Sequence, residues 1–322
     1  MGQVLTCHMR LPDNFLRVSK ASLKTVYRHL PGKAALFSEL KRFWIPEFYR
    51  RLQFNGPFTV RIDPSHAFRM QHYDQYGIET EIFWKGLDDA WESVSIFLWK
   101  QLIRPGAIVL DIGANQGLYA LITKCLCPSA RVLAFEPLPS AFLALQANVA
   151  LNNFNIECLE IALADFDGEA KFYSPATNLA TEGSLIASEV DQANLKVQRV
   201  RAGRLASLIQ THCLAHVDLM KIDVEGAEAG VLSGMGSYLR QFRPAILVEV
   251  LRDGVGSEIE GLMRGLDYVY LDINDDPRNG PLGWRQVDHI KKATCLNYFL
   301  LPREQAMPTN FIAGRDFELN SR

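Results

Sequence analysis

The chain contains no CxxC pair. Its six cysteines stand at positions 7, 125, 127, 158, 213 and 295, and only Cys125 and Cys127 lie close together, one residue apart. That spacing serves neither a zinc site nor a disulfide framework, so a reduced, cytoplasmic setting is the expectation. No apolar run reaches the roughly 18 residues that a membrane span requires, so no integral membrane segment is expected. The opening MGQVLTCHMR lacks the apolar stretch of a secretory leader. Gly2 and Thr6 meet the short myristoylation pattern, with Cys7 beside them, but so brief a pattern recurs by chance. No lysine or arginine block stands out and the net charge is −2, which gives no reason to expect nucleic acid. His66, His72, His212, His216 and His289 show no metal-ligand spacing, and internal repeats and low-complexity tracts are missing.

What is present is ordinary for a globular chain. Hydrophobic residues make up 48% and charged residues 22% of 322 positions, enough for one large domain with an appendage. Residues 1 to about 55 read as amphipathic helices broken at Pro31-Gly32 and limited at Pro46. PFTVRIDP and IETEIFW alternate as β segments would. Residues 88–103 form a strong helical pattern. From there, apolar strands at 107–112, 131–136, 156–162, 217–223 and 245–250 alternate with helices near 117–126, 139–152, 202–211 and 227–234. That alternation predicts an α/β fold with a doubly wound, mostly parallel sheet. DGEAKFY and LKVQRVRA, within 166–200, read as a hairpin-like insertion. YVYLDIN (268–274) and TCLNYFLLP (294–302) close the sheet around a Gly/Pro/Asp loop.

Chemistry concentrates at the strand ends, where open α/β sheets bind ligands. IVLDI ends in DIGANQG, whose Gly113 and Gly117 let the backbone turn tightly and approach a ligand. The spacing is G-x-x-x-G, not the dinucleotide G-x-G-x-x-G, and Asp111 precedes the first glycine. A carboxylate there repels a pyrophosphate and attracts an amino group or a sulfonium, so S-adenosyl-L-methionine fits and NAD fits poorly. Glu136 ends the next strand, where it can accept hydrogen bonds from both hydroxyls of a ribose. VDLMKID ends at Asp223, with Glu225 and Glu228 following. Lys221 inside that apolar strand calls for a neighbouring carboxylate. Acids of this kind in a first helical turn also serve the helix dipole, a reading that suits Glu228 best. Glu249 ends AILVEV on the same rim, where Arg243 or Arg252 are its candidate partners. No metal ligand set is assigned.

VLDIGANQGLYALI, AFEPLPSAFLALQANVALNN, IALADFDGEAKFY, KIDVEGAEAGVLSGM and PAILVEV, in that order, resemble the FkbM-type methyltransferases over roughly residues 90 to 302. The resemblance implies the class I methyltransferase fold, Rossmann-like and seven-stranded, with S-adenosylmethionine as cofactor. It places Asp111, Gly113, Asn115 and Gly117 around the methionine part of the cofactor. It puts Glu136 and the adjoining Pro137 at the ribose, and the segment from Ala162 to Asp165 near the adenine. Glu92 would reach the cofactor's amino group. Asp223, Glu225 and Glu249 become candidates for the base at the methyl-transfer rim. The implied activity is O-methylation of a sugar or natural-product hydroxyl, with a small-molecule or carbohydrate acceptor as partner. The expected organisation is a helical/β extension over 1–87, a methyltransferase domain over 88–305 and a tail over 306–322. Phe43, Trp44, Phe48, Tyr49, Phe54 and Phe58 in the extension suit packing against the domain better than a carbohydrate platform. The extension can also cap the acceptor site or join two copies in a homodimer. An NAD-dependent oxidoreductase and a non-catalytic S-adenosylmethionine-binding module remain as alternatives.

Overall fold

IVLDI is apolar at four of five positions, and only the middle of a sheet covered on both faces can bury it. In the computed structural model, the described residues are 32–43, 45, 47–73, 77–175, 184–186, 195–251, 253–291, 296–305, 307 and 310–312. The myristoylation pattern, Trp44, Arg252 and the tail beyond 312 lie outside them. Helix α1 (Lys33–Phe43) leads to the strands β1 (Asn55–Arg61) and β2 (Ala67–Tyr73), then to α2 (Ile78–Lys85) and α3 (Ser93–Leu102). The alternating core follows as β3 (Ile108–Ile112), α4 (Leu118–Leu126), β4 (Arg131–Phe135), α5 (Pro139–Asn152) and β5 (Ile156–Leu159). β6 (Ala162–Ala164), β7 (Gly168–Pro175) and β8 (Leu195–Arg204) come next, then α6 (Leu205–Thr211), β9 (Leu219–Ile222), α7 (Glu228–Met235), α8 (Ser237–Phe242) and β10 (Ala245–Glu249). The chain closes with α9 (Asp253–Met263), β11 (Tyr268–Asn274), β12 (Gly283–Val287), β13 (Asn297–Pro302) and β14 (Asn310–Ile312).

The large sheet has the order β14-β12-β11-β13-β10-β9-β3-β4-β5. Strands β3, β4, β5, β9 and β10 are parallel, and β13 runs antiparallel between β10 and β11. The period-2 alternation of strand side chains splits the core in two. Val109, Val132, Leu219 and Leu247 pack with Trp99 and Leu121 on one face. Leu110, Leu133, Met220 and Ile246 pack with Leu232 and Ile259 on the other. The sheet is therefore doubly wound, as expected.

All seven expected core strands are present, but among the described residues the sheet has nine. The loop after β11 holds β12, which pairs with it from Tyr270↔Val287 to Asn274↔Gly283, and β14 adds to β12. GWRQV is too short and too exposed on one side to declare itself by pattern. The reading of IETEIFW as a strand is also corrected. It forms α2, while the partner of β1 is AFRMQHY, in the register Val60↔Phe68 and Phe58↔Met70. Residues 79–84 are all buried, so neither period shows in them. The predicted 156–162 strand breaks after Leu159, and Ala162–Ala164 joins a three-stranded sheet, β6-β8-β7. Within it β7 and β8 pair antiparallel from Gly168↔Ala202 to Pro175↔Leu195, the hairpin-like insertion that the sequence implied. Residues 202–204, expected in a helix, end β8 instead.

The segment before residue 85 packs onto the same core. Tyr49, Phe54 and Phe58 are buried in the cluster that holds Trp99, whereas Phe43 and Phe48 are exposed. Asn148 and Asn152 of α5 accept the β2 backbone N–H groups of Gln71 and Arg69 at 2.8 and 2.7 Å. They satisfy an edge that would otherwise stand unpaired.

Gly113 shows how closely the core elements meet. A Cβ there would lie 1.7 Å from the Asp223 carbonyl oxygen, at φ +75°. Gly106 has the same φ and nothing within 4 Å. In urea denaturation, Gly106→Ala is expected to cost about 1–2 kcal/mol, the left-handed backbone term alone. Gly113→Ala is expected to cost more than about 3 kcal/mol, because backbone must move as well. Equal losses would contradict the close approach.

Candidate functional site

Strand β3 has β4 on one side and β9 on the other, so the winding of the sheet reverses there. The carboxyl ends of these strands open onto a cavity of ≈ 360 Å³. Among the described residues its lining contains the carboxyl groups of Glu79, Glu81, Glu92, Asp111, Glu136, Asp223, Glu225 and Glu249, and one cationic side chain, Lys221.

The DIGANQG turn forms one wall. Gly113 and Ala114 donate their N–H groups to the Phe135 carbonyl at 3.0 and 2.9 Å, which draws the turn onto the end of β4. Gly113 leaves room for the Asp223 backbone, so the closest approach its missing side chain permits is to protein. Gly117, at φ +87°, starts α4, and a Cβ there would meet Leu145 at 2.5 Å. Asp111 is 1% exposed. Its Oδ2 accepts the Ala120 N–H at 2.9 Å, while Oδ1 has no partner. Burial raises the Asp111 carboxyl to about 6. Glu136 accepts the Leu138 N–H at 2.7 Å through Oε1 and the Asn115 N–H at 2.9 Å through Oε2. Burial outweighs these bonds and pushes Glu136 to about 7.

Glu92 sits just before α3 in a left-handed conformation, φ 57°. Its oxygens accept the Tyr119 hydroxyl at 2.8 Å and the Asn297 amide at 2.9 Å, and burial raises its carboxyl. Asp275, in the loop after β11, caps α3 from across the sheet. It accepts Val94 N–H at 2.7 Å, Ser95 N–H at 3.0 Å and the Ser95 hydroxyl at 2.5 Å. Sequence reasoning missed Tyr119, Asn297 and Asp275. Only their proximity to the glycine turn (Tyr119) or to strand ends (the other two) hinted at them.

Lys221 finds the carboxylate that its burial required, with Asp223 Oδ2 at 2.6 Å from its ammonium, which also lies 5.1 Å from the Tyr119 ring centroid. Asp223, Glu225 and Glu249 each place a carboxylate oxygen within 4.8 Å of the others. Burial first, then Asp223, Glu225 and Glu92, push Glu249 up to about 10, so it is a neutral acid at pH 7. Arg243 is not its partner; that guanidinium pairs with Glu304 at 2.8 Å. The trio supplies three of the about six oxygens that a hard divalent cation takes. Glu225 is left-handed, φ 56°, and its carbonyl accepts the Ser184 hydroxyl at 2.6 Å. Glu228 does more than face a helix dipole. Its Oε1 accepts the Gly226 and Val224 N–H groups at 2.9 and 3.2 Å, which organises the turn between Asp223 and α7.

Pro137 and Ala162 line the cavity, as do Ile161 and Leu163. Asp165 is exposed and does not line it. The other named positions do: Glu92, Asp111, Gly113, Asn115, Glu136, Asp223, Glu225 and Glu249. Gly117 stands behind the wall at the start of α4.

The methyltransferase FkbM domain pattern matches residues 111–270. The 31-O-demethyl-FK506 methyltransferase FkbM of Streptomyces tacrolimicus is 30% identical over 199 residues, 54% of this chain and 76% of that protein. The chain belongs to the FkbM methyltransferase family. The AMB antimetabolite synthetase AmbE of Pseudomonas aeruginosa is 32% identical over 187 residues, 48% of this chain, and the chain spans 9% of that protein's length. The hexuronic acid methyltransferase AglP of Haloferax volcanii is 29% identical over 177 residues, 53% of this chain and 66% of that protein. The FkbM match contains Asp111, Glu136, Asp223, Glu225 and Glu249, and begins after Glu79 and Glu92.

Three buried acids of this FkbM-type chain make its stability depend on pH. Folding raises Asp111 from 3.8 to about 6, and Glu136 and Glu228 from 4.5 to about 7. A carboxyl raised by folding holds a proton that the unfolded chain releases. Its contribution is full below the unfolded value and is lost as pH climbs through the folded one, at up to about 1.4 kcal/mol per pH unit for each group. The ligand-free protein should therefore lose stability from about pH 4.5 through 7, and Glu249, raised further still, carries the loss beyond that range. Chemical denaturation across that range should show the decline, and Glu136→Gln should flatten it. A rise of stability over the same range would contradict the burial of these acids.

Proposed function

We propose that the chain is an S-adenosylmethionine-dependent O-methyltransferase acting on a hydroxyl of a sugar or natural-product acceptor. The observation that carries this reading is the acid-rich lining of the cavity: among the described residues eight carboxyl groups line it against one ammonium, with Glu81 already paired to Arg50 and Lys85 and Glu249 held protonated. Such a wall repels a dinucleotide's pyrophosphate and favours a ligand that carries an ammonium and a sulfonium. The fit is local as well. Asp111 Oδ1 is buried without a partner in the cavity that Glu92 also lines, and a buried acceptor of that kind calls for a donor. Glu136, whose oxygens each take one backbone N–H, keeps lone pairs for two ribose hydroxyls.

Bound here, S-adenosylmethionine supplies an electrophilic methyl group carried on positive sulfur. Asp111 and Glu92 would hold its ammonium, Glu136 its ribose, and Pro137, Ile161, Ala162 and Leu163 the flat apolar base. The acceptor hydroxyl is a weak nucleophile, so a carboxylate that takes its proton would contribute about 10²–10⁴-fold. Asp223 and Glu225 are suited to that role. Glu249, held neutral by burial among acids, is suited to donate a hydrogen bond that orients the hydroxyl. Lys221 fixes Asp223 and limits the repulsion between the acids. The acceptor class draws support from the names of two relatives, a 31-O-demethyl-FK506 methyltransferase and a hexuronic acid methyltransferase.

Transfer of labelled methyl from S-adenosylmethionine to hydroxyl-bearing acceptors tests the reading. Glu249→Gln, which keeps a neutral hydrogen-bonding group, should retain kcat within about tenfold at pH 7. Asp223→Asn should lower kcat by about 10²–10⁴-fold. The reverse order of these effects would move the base to Glu249. Transfer to nitrogen or carbon acceptors alone would remove the O-methyl assignment.

A further inference from the structure

Helix α2 carries two buried acids two positions apart, and their charges are met in opposite ways. Glu81 takes the Tyr49 hydroxyl at 2.5 Å, Arg50 Nε at 3.1 Å and the Lys85 ammonium at 2.7 Å. Glu79 is 1% exposed, and among the described residues its side chain meets its own backbone amide and the Gln116 amide at 3.2 Å, with no ion pair. Glu79 Oε1 and Gln116 Oε1 are both buried with no hydrogen-bond partner. Leaving a buried carboxylate without a cation is costly, and two orphaned acceptors side by side compound the cost.

Both residues line the cavity. Gln116 belongs to the glycine turn, and the neighbouring Asn115 N–H binds Glu136. Burial separates the wall of the cavity from its mouth. Trp91, 58% exposed, stands at the mouth, whereas Glu79 and Gln116 are closed off from solvent. At ≈ 360 Å³ the cavity lies at the small end of ligand sites and takes one nucleoside-sized molecule. Donors that reach Glu79 and Gln116 therefore belong to the molecule held inside.

We propose that Glu79, carried by α2 and steadied by Gln116, is a binding residue of the cofactor cavity that accepts hydrogen bonds from donor groups of the bound nucleoside. The segment ahead of the FkbM-matched region is then part of the cofactor site and not only a cover. The placement is rigid. His72 Nε2 lies 3.0 Å from the Thr80 hydroxyl, Phe54 stacks on His72 at 4.3 Å, and Asn148 joins Gln71 N–H to the Gln116 carbonyl.

This inference rests on the S-adenosylmethionine reading, and one experiment separates the two. The full chain is titrated calorimetrically with S-adenosylhomocysteine as wild type, Glu79→Met and the near-isosteric Glu79→Gln, and the ligand-free Tm of each is measured. Glu79→Met should weaken binding about 10- to 100-fold, the loss expected for a hydrogen bond to a charged acceptor. Its ligand-free Tm should fall little, because the two hydrogen bonds lost are offset by removing a buried acid that has no ion pair. Glu79→Gln, which keeps one acceptor oxygen, should lie between. Equal affinity in wild type and Glu79→Met overturns this proposal alone, as does a parallel fall of Tm and affinity, the mark of a purely structural role. No binding by the wild type overturns the cofactor reading and this proposal together.

Discussion

The ion pair between Lys221 and Asp223 is the interaction on which the cavity depends. Strand β9 is buried on both faces, and a lysine in its middle is tolerable only with a carboxylate against it. The 2.6 Å pair meets that condition, and the remaining acids on the rim repel one another around it. Burial first, and repulsion among the acids second, push Glu249 far above the usual carboxylate range and raise Asp111 to about 6 and Glu136 to about 7. A ligand bearing positive charge lowers these values and is stabilised in return, which couples ligand binding to ionisation of the wall.

An acid-rich cavity of this kind stays open only if its frame is fixed elsewhere. Asp275 holds the start of α3, and Asn297 and Tyr119 hold Glu92, so two separate segments fix this carboxylate and a third fixes the helix that follows it. Glu92, Asn115 and Glu225 all take left-handed backbone conformations, which cost about 1–3 kcal/mol each and persist only where the surroundings impose them. All three line the cavity. Strain placed there, together with the close approach of Gly113 to the Asp223 carbonyl, describes a preformed site.

Much of this was legible in the sequence. IVLDI, RVLAFE, VDLMKID and AILVEV announced central strands because both of their faces are apolar, and the acids at their ends marked the rim. Lys221 announced its partner by being a charge in a buried strand. IETEIFW was misleading for a physical reason: helix α2 is buried nearly all round, so its residues carry no helical stripe, and I-E-T-E-I mimics a strand. β12 and β14 were invisible because they are short and pair at an exposed edge. The Glu92–Asn297–Asp275 network spans about 200 positions of sequence and rests on polar residues with no local period, so only the fold assembles it. Glu79 was hidden for the same reason as α2, although a carboxylate in so apolar a run was a sign of cost.

The central claim is that the cavity is charged to hold S-adenosylmethionine and to refuse a dinucleotide. Parallel titration of the purified chain with S-adenosylhomocysteine and with NADH tests it most directly, with Glu136→Ala as the companion variant. The account predicts binding of S-adenosylhomocysteine, no binding of NADH, and a loss of about 1–3 kcal/mol of affinity in Glu136→Ala. Binding of NADH with no response to S-adenosylhomocysteine would contradict it.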